Sequence, residues 1–235
     1  MQPNLAKTLN DRLRHHSASD VLVAAFANLP DLALVSSFGA DSVALIHLAS
    51  MVKRDVPVIF IDTEMLFTQT LVYQHELTER LGLRNVQIIR AADTNADPGG
   101  TLHKTDPDGC CFLRKTAPLQ QAVAGRRGWI TGRKRFQNGR RATLEFFEET
   151  PGSRQLKVNP LAHWSAQDVS EYIAENRLPR HPLVAQGYPS IGCAPCTSPV
   201  AATEDPRAGR WRGTSKEECG IHFENGKMIR QGELT

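Results

Sequence analysis

The sequence predicts an α/β fold in which a parallel sheet is flanked by helices. Short apolar runs that suit buried strands alternate with longer stretches of helical periodicity, the pattern of strand–helix–strand units. Polar motifs directly follow the apolar runs, as expected where ligands bind beyond the carboxyl ends of parallel strands. Because 235 residues are enough for one good core, we expect one domain over residues 1–198 and a mobile C-terminal tail over 199–235.

Each element is predicted from a local pattern. Near the start, Leu5, Leu9 and Leu13 recur every four residues, as on one face of a helix. The strands are read from continuous apolar runs, which suit parallel strands covered on both faces. Ser165 and Asp168 form a capping-box pattern before the last helix. The predicted elements are helices within 4–28, a strand at 32–38, a helix at 43–51, a strand at 56–61, a helix at 68–81 that ends at Gly82, strands at 86–89, 129–131 and 156–158, and a helix at 169–176.

The composition argues against several classes of protein. A formal net charge of +3 is small for a dedicated nucleic-acid-binding protein. No apolar stretch approaches the length needed to span a bilayer, and the N-terminus lacks the features of a signal peptide. We therefore expect a cytoplasmic protein with neither membrane nor nucleic acid as partner. Arginine-rich segments at 126–141 and 207–212 favour a small anionic substrate, although arginines are also common on solvated surfaces.

The five cysteines form an adjacent pair, Cys110 and Cys111, a C-x-x-C pair, Cys193 and Cys196, and a single Cys219. Four thiolates suit zinc or an iron–sulfur cluster, and the fifth is then a candidate nucleophile. Ordinary buried cysteines are the alternative interpretation. A disulfide framework is less favoured, because nothing indicates an oxidising compartment and adjacent cysteines cannot pair without strain.

A phosphate-binding turn is predicted at residues 36–42, between the first strand and the following helix. Backbone N–H groups at a helix start favour an anion, and the hydroxyls of Ser36, Ser37 and Ser42 can add donors. The turn lacks the Walker P-loop pattern. The alternative is a plain strand–helix turn with Asp41 or Ser42 as the N-cap.

The turn resembles the S-x-G-x-D-S motif of the PP-loop family, and further motifs narrow the resemblance to the sulfonucleotide reductases. The whole set spans roughly residues 30–223 and is similar to the iron–sulfur branch of that family, the assimilatory adenylyl-sulfate (APS) reductases. The motifs are Ile61-Asp62-Thr63, Cys110-Cys111 with Lys115, residues 131–135, residues 191–197, residues 207–211 and residues 216–222.

This resemblance implies an adenine nucleotide alpha hydrolase-like (PP-loop) fold and reduction of APS to sulfite and AMP in sulfate assimilation. It implies that Cys219 forms an S-sulfo intermediate, which thioredoxin or a glutaredoxin-like dithiol releases as sulfite. It also implies a [4Fe–4S] cluster on Cys110, Cys111, Cys193 and Cys196. The implied substrate-binding residues are Ser36, Ser37, Gly39, Ser42, Asp62, Thr63, Lys115, Gly132, Arg133, Arg141, Arg207, Arg210 and His222.

One position departs from the family pattern: Glu64 stands where the family usually has glycine. A charge beside the nucleotide pocket would alter ribose contacts and mildly favour APS over phosphoadenylyl sulfate (PAPS), or the side chain turns outward. Three alternatives stay open at this point: a reductase that takes PAPS or both substrates, a PP-loop tRNA thiolase, and a zinc-stabilised nucleic-acid-binding module. The sequence also leaves a homo-oligomer open.

Overall fold

The architecture is described from a computed structural model, which covers residues 4–137, 139–150, 152–214 and 216. In this part of the chain a six-stranded sheet has the order β3-β2-β1-β4-β6-β5. Every neighbouring pair is parallel except β5 with β6, which closes one edge as an antiparallel pair. The strands are β1 Ala33–Ser36, β2 Val58–Ile61, β3 Val86–Ile89, β4 Gly128–Ile130, β5 Phe147–Glu149 and β6 Leu156–Val158.

Helices connect and cover the strands. Two of them begin with a capping box, formed by Ser17 with Asp20 and by Ser165 with Asp168, as the sequence predicts for the second. A π-helical segment, Phe112–Thr116, interrupts the helical region that carries the adjacent cysteines. The α-helices are α1 Leu5–Leu13, α2 Ala18–Asn28, α3 Ser42–Val52, α4 Thr68–Arg80, α5 Leu102–Thr105, α6 Pro107–Cys111, α7 Ala117–Val123 and α8 Ala166–Glu175.

The two faces of the sheet bury different clusters. Leu34, Val58 and Phe60 pack with residues of α1, α2, α3 and α8 in the larger cluster. Their strand neighbours Ala33 and Ile59 face the other way, where they pack with Leu119, Val123 and Trp129. Successive side chains of a strand point to opposite faces, so helices on both sides account for the continuous apolar runs. The predicted α/β class is therefore confirmed.

The segment that we expected to be a mobile tail is packed against the body in its first part. The backbone N–H groups of Val200 and Trp211 donate to the carbonyls of Gly187 and Cys196 at 2.9 and 3.0 Å. Trp211 is buried, and Thr197 forms a β-bridge with Arg210. The packed region therefore continues beyond residue 198, as far as the structure describes the chain. None of the described helices is long and apolar enough to span a membrane.

Candidate active site

The turn between β1 and α3 is held by its own hydroxyls. Ser36 Oγ accepts a hydrogen bond from the Phe38 N–H at 3.1 Å, and Ser42 Oγ accepts one from the Gly39 N–H at 2.9 Å. Phe38 has a φ of 48° and turns its ring into the core, edge-on to Phe60 at 5.2 Å between centroids. The hydroxyl hydrogens of the two serines stay available as donors to a ligand.

A cavity of about 290 Å³ lies over this turn, at the carboxyl ends of the central strands. We call it the nucleotide cavity, after the ligand that the sequence resemblance implies. It has the position that ligands occupy in open parallel sheets. It brings together segments from the whole length of the chain. The predicted substrate-binding residues that line it are Ser36, Ser37, Gly39, Ser42, Lys115, Gly132, Arg133, Arg141, Arg207 and Arg210.

Arg210 brings a guanidinium to this cavity. Its guanidinium lies 4.4 Å from the centre of the Trp211 ring, and its Nη1 donates to the carbonyl of Ile191 at 3.2 Å. Its Nε is buried and has no hydrogen-bond partner among the described residues. A buried N–H without an acceptor is costly, so an anion in the nucleotide cavity would supply a partner that the described residues do not.

Gly192, the residue before the C-x-x-C pair, leaves the space that the guanidinium of Arg210 occupies. A Cβ on Gly192 would collide with the guanidinium of Arg210, and a Cβ on Gly209 would collide with the carbonyl of Ser198. Each glycine therefore permits a close approach that a larger residue would prevent. Together they keep Arg210 against the wall of the cavity.

Arg133 and Arg141 also line the cavity and are held by polar neighbours. Arg133 donates to Asn159 Oδ1 at 3.0 Å and forms an ion pair with Glu148. Arg141 donates to the side chain of Gln137. These contacts fix two positive charges in largely buried positions, which favours binding of an anionic ligand.

The four cysteines at 110, 111, 193 and 196 line a second, smaller cavity, the cysteine cavity, together with Thr63, Met65 and Trp211. The Thr63 hydroxyl lies 3.2 Å from Cys193 Sγ. The C-x-x-C turn is pinned from both sides, because Ala194 N–H donates to the Met65 carbonyl at 2.7 Å and the Cys196 carbonyl accepts from Trp211. Cys111 and Cys193, which are 82 positions apart in the chain, are thus brought to one site.

The thiols of the cysteine cavity influence one another. Burial, and then the neighbouring thiols, raise the pKa of Cys110 to about 11. Burial is also the main reason that the pKa of Cys196 is raised, while Arg210 and Lys216 act in the opposite direction. A thiol whose pKa is raised, such as that of Cys110 or Cys196, is neutral at neutral pH unless a positive group, such as a metal centre, favours the thiolate.

The donor set fits an iron–sulfur cluster. All four of these cysteines are free thiols that face one cavity. Within residues 4–137, 139–150, 152–214 and 216, no three or more side chains of His, Cys, Asp or Glu are arranged to hold a single ion. Zinc needs its four thiolates about 2.3 Å from one ion, whereas the thiolates of a cluster bind separate irons and stay farther apart.

Lys115 and Arg210 line both cavities, so their charges lie between the thiols and the nucleotide site. Lys115 belongs to the π-helical segment, a rare geometry that is frequent at functional sites. Lys216 pairs with Asp108 and lies 5.7 Å from the centre of the Trp211 ring. Burial acts to lower the pKa of Lys216, but the hydrogen bond to Asp108 and the nearby Cys111 outweigh it and raise that pKa.

Some of the predicted site residues lie elsewhere. Cys219 and His222 fall outside the described residues. Thr63 lines the cysteine cavity instead of the nucleotide cavity. Asp62 lines neither, because its carboxylate accepts from Arg90 Nε at 2.8 Å and from the Glu64 N–H at 2.9 Å. Asp62 therefore shapes the loop after β2, and the structure does not bring it to the substrate site.

Glu64 turns outward. Its φ of 60° lies in the left-handed region that favours glycine, and its carboxylate pairs with Arg114 at 3.3 Å. Arg114 is buried and also pairs with Asp97 at 3.1 Å. Because Glu64 lines neither cavity, its charge gives no reason to favour one nucleotide substrate over another.

The sequence interpretation missed several residues of the site. Lys134, Phe136 and Gln137 line the nucleotide cavity, and Arg114 and Trp211 line the cysteine cavity. Lys134 lies inside a motif that supports the family resemblance, so that motif was a usable signal. Phe136 and Gln137 follow it immediately in a 3₁₀ turn, Arg135–Gln137, which has no periodicity to mark it.

Comparison with known proteins agrees with this geometry. Residues 31–199 match the phosphoadenosine phosphosulfate reductase domain family. The adenosine 5′-phosphosulfate reductase of Mesorhizobium japonicum is 50% identical over 196 residues, which cover 82% of this chain and 76% of that protein. The enzyme of the same name from Chelativorans sp. is 44% identical over 224 residues, covering 93% of this chain and 91% of the relative.

Solved structures give the same result for the fold. The phosphoadenylyl-sulfate (PAPS) reductase of Candida auris, in a phosphate complex, superposes with a TM-score of 0.74 at 28% identity, covering 85% of this chain and 98% of that chain. The FMN adenylyltransferase of Candida glabrata in complex with ATP shares the fold alone, with a TM-score of 0.59 at 14% identity, over 88% of this chain and 70% of that chain. The chain belongs to the phosphoadenosine phosphosulfate reductase domain family.

Proposed function

We propose that this protein reduces adenosine 5′-phosphosulfate, also called adenylyl sulfate, to sulfite and AMP in sulfate assimilation. The observation that carries the proposal is that Lys115 and Arg210 line both cavities. One of these cavities lies over the turn at residues 36–42, and the other is lined by the four cysteines. Relatives that are 44–50% identical carry the name of this activity. The activity needs both a site that binds an anionic nucleotide and a thiol that reacts with it.

The substrate would lie with its adenylate over the turn at residues 36–42 and its sulfate toward Lys115 and Arg210. The backbone and hydroxyl donors of the turn suit the α-phosphate, since a helix start favours an anion. Arg207 and Arg210 suit the sulfate oxygens, because a guanidinium forms paired hydrogen bonds to oxyanions. Arg141 and Gly132 line the same cavity and would contact the remainder of the nucleotide.

Cys219 would supply the nucleophile. Its thiolate attacks the sulfate sulfur, a sulfur–sulfur bond forms, and the bond from sulfur to the phosphate oxygen breaks, so that AMP leaves with the electron pair. Lys216 lies beside Cys111 and Asp108, and the three residues that follow it to Cys219 span at most about 11 Å.

Release of sulfite requires an external dithiol such as thioredoxin or a glutaredoxin-like protein. One thiolate of that partner attacks Cys219 Sγ, and sulfite leaves with the electrons of the sulfur–sulfur bond. The second thiol of the partner resolves the mixed disulfide and regenerates the Cys219 thiolate. The two electrons of the reduction thus come from the dithiol, which ends as a disulfide. His222 would act near Cys219 as an orienting group or base.

The four thiols of the cysteine cavity would hold a [4Fe–4S] cluster. When bound, such a cluster would supply local order around the four thiolates. On the protein side, Thr63 lies 3.2 Å from Cys193 Sγ, and Lys115 lies between this site and the substrate. The four described cysteines form no disulfide, which supports placing the protein in a reducing compartment, the cytoplasm.

PAPS is the second candidate substrate, favoured by the likeness to the Candida auris PAPS reductase. A tRNA thiolase is less well supported, because several arginines of the segment at 126–141 make contacts within the protein. Arg126 donates to the carbonyls of Ala122 and Asp31, and Arg133 and Arg135 pair with glutamates. These arginines serve internal contacts more than they would serve RNA.

Steady-state sulfite release tests the proposal. Anaerobically purified protein is given APS or PAPS, with thioredoxin and its reductase or without them. We expect sulfite from APS only when the dithiol is present, and a kcat/KM for PAPS at least tenfold lower. Equal or faster turnover of PAPS would assign the protein to the second candidate. No sulfite from either substrate, with iron-loaded protein, would contradict both.

A further inference from the structure

The side chain of Asp41 makes unusual contacts for an aspartate at the start of a helix. It is the N-cap of α3, yet its side chain makes no hydrogen bond to the helix N-terminus. Its carboxylate instead lies 3.1 Å from Lys134 Nζ. An aspartate at an N-cap normally accepts from the second or third N–H of the helix, which stabilises the helix. Here that interaction is replaced by an ion pair.

Lys134 is well placed to hold the Asp41 carboxylate. Its side chain is only 2% exposed, and its Nζ is also within 3.3 Å of the Gly132 carbonyl. Both Asp41 and Lys134 line the nucleotide cavity. The lysine therefore draws the carboxylate to one side of the phosphate turn, away from the N–H groups at the start of α3.

The surroundings explain why the pair matters for an anionic ligand. Burial lowers the pKa of Lys134 against the opposing effect of Asp41, and the charges of Arg141 and Arg207 add to the lowering. Several cationic side chains thus converge on the same end of the cavity as one carboxylate. An unheld Asp41 carboxylate would compete with an incoming phosphate for the helix start, because both are anions that suit it.

We propose that Lys134 is a positioning residue that keeps the Asp41 carboxylate off the N-terminus of α3 and so leaves that end of the nucleotide cavity open to the phosphate of the substrate. The inference rests on the proposed function only in taking the ligand to be an anionic adenine nucleotide. Lys134 acts through Asp41, so its effect on binding depends on whether residue 41 carries a charge.

The test is a double-mutant cycle on binding, with Lys134→Met, Asp41→Asn and the double variant. Dissociation constants are measured by calorimetry for AMP, for uncharged adenosine and for inorganic phosphate, with the full chain in each case. Lys157→Met is the matched control, because Lys157 is also a buried lysine but does not line the cavity. Circular dichroism and thermal melting check that each variant is folded.

We expect Lys134→Met to weaken AMP and phosphate binding by at least about tenfold, the scale of one lost charge-assisted interaction, with adenosine changed less than about twofold. Adding Asp41→Asn should restore AMP binding to within about threefold of the unmutated protein. Lys157→Met should bind AMP normally.

Three results would overturn the proposal. A double variant as weak as Lys134→Met would mean that the lysine contacts the phosphate itself or only supports the fold. Wild-type AMP binding by Lys134→Met would mean that Asp41 needs no partner. If the unmutated protein binds neither AMP nor phosphate, this end of the cavity is not an anion site. If phosphate responds as expected but AMP does not bind, the positioning role stands and the proposed nucleotide substrate is wrong.

Discussion

The nucleotide cavity and the cysteine cavity differ in how the chain builds them. The nucleotide cavity is formed largely by loops that directly follow strands, at residues 36–42 and 131–137. The cysteine cavity is assembled from three segments near residues 63–65, 107–115 and 193–196, and from Arg210 and Trp211. The first depends on sheet topology, whereas the second depends on long-range packing between irregular segments.

Their electrostatics differ in the same way. Fixed cations line the nucleotide cavity, while the cysteine cavity groups four cysteines, two of which, Cys110 and Cys196, have pKa values raised mainly by burial. A cation-lined cavity is ready for an anion, but a group of thiols becomes a ligand set only when a metal centre takes the thiolates. We therefore expect changes in the cysteine cavity to act on folding and function together, and changes in the nucleotide cavity to act on binding.

The largest expected effect is at the cysteine cavity. Cys111→Ser should lose iron and sulfite release together, because metal binding and local folding are coupled. Met65→Leu is the matched control, since Met65 lines the same cavity without a thiol, and it should keep both. Iron content and the visible absorption of anaerobic protein provide the measurement. Full iron with no activity in Cys111→Ser would remove this cysteine from the ligand set.

Arg210 should show the next largest effect, because it belongs to both cavities. Arg210→Ala should lower kcat/KM for APS by about 10- to 100-fold, as expected for loss of one charge-assisted contact of about 1.5–3 kcal/mol. Arg212, two residues on, is half-exposed and pairs with Glu204 at 2.9 Å, so Arg212→Ala should stay within about threefold. Equal effects of the two variants would show that this segment acts only by packing.

A smaller effect concerns the pH dependence of the free energy of unfolding, to which the buried His181 contributes. Burial lowers the pKa of His181 to about 4, and its Nε2 lies 3.0 Å from the hydroxyl of Thr70, which lines the cavity. The unfolded chain binds a proton at this histidine below about pH 6.5 while the folded one does not. The free energy of unfolding should therefore fall as the pH drops from about 6.5 to about 4.

His181→Asn checks this expectation, since its side-chain oxygen can still accept from the Leu183 N–H that now bonds Nδ1 at 3.2 Å. Urea unfolding at several pH values should show a slope flatter by on the order of 1 kcal/mol per pH unit than that of the unmutated protein. His47 and His163, whose pKa values are also lowered, contribute equally to both proteins. Parallel slopes would contradict the assignment to His181.

The smallest expected effect is at Glu64, which lines neither cavity. Glu64→Gly relieves a left-handed backbone conformation, worth about 1 kcal/mol, but removes a half-exposed ion pair to Arg114 worth about 0–1 kcal/mol. Stability by thermal melting should change by no more than about 1 kcal/mol, and the KM for APS should stay within twofold. A large change in KM would place Glu64 at the substrate after all.

The sequence predicted the strands of the sheet better than it predicted the irregular segments that pack around the two cavities. Apolar runs marked β1 and β2 because parallel strands covered on both faces have no polar side, and the apolar run of β3 was marked although this edge strand is only partly buried. The edge strand β5 and the short helices around Cys110 are three to seven residues long, too short for periodicity to reveal. The packing of the segment after residue 198 depends on Trp211 and on main-chain pairing with Cys196, and neither contact is visible in a local pattern.

For the site, motif resemblance located the residues but not their contacts. It identified Lys115 and Arg210, which line both cavities, and it grouped the four cysteines correctly around one cavity. It assigned Asp62 to the substrate, whereas the carboxylate of Asp62 is used by Arg90 and the backbone of the loop. It passed over Lys134, because a lysine beside two arginines looks like one more surface charge until its burial is known.

Trapping the intermediate tests the central claim most directly, namely that four cysteines hold a metal centre while Cys219 does the chemistry. Anaerobic, iron-loaded protein is mixed with APS in the absence of any dithiol, and its peptides are then analysed by mass spectrometry. We predict one added SO₃ group, on the peptide that contains Cys219, and its loss when thioredoxin is added. An adduct on Cys110, Cys111, Cys193 or Cys196, or an adduct that persists in Cys219→Ser, would contradict this division of roles.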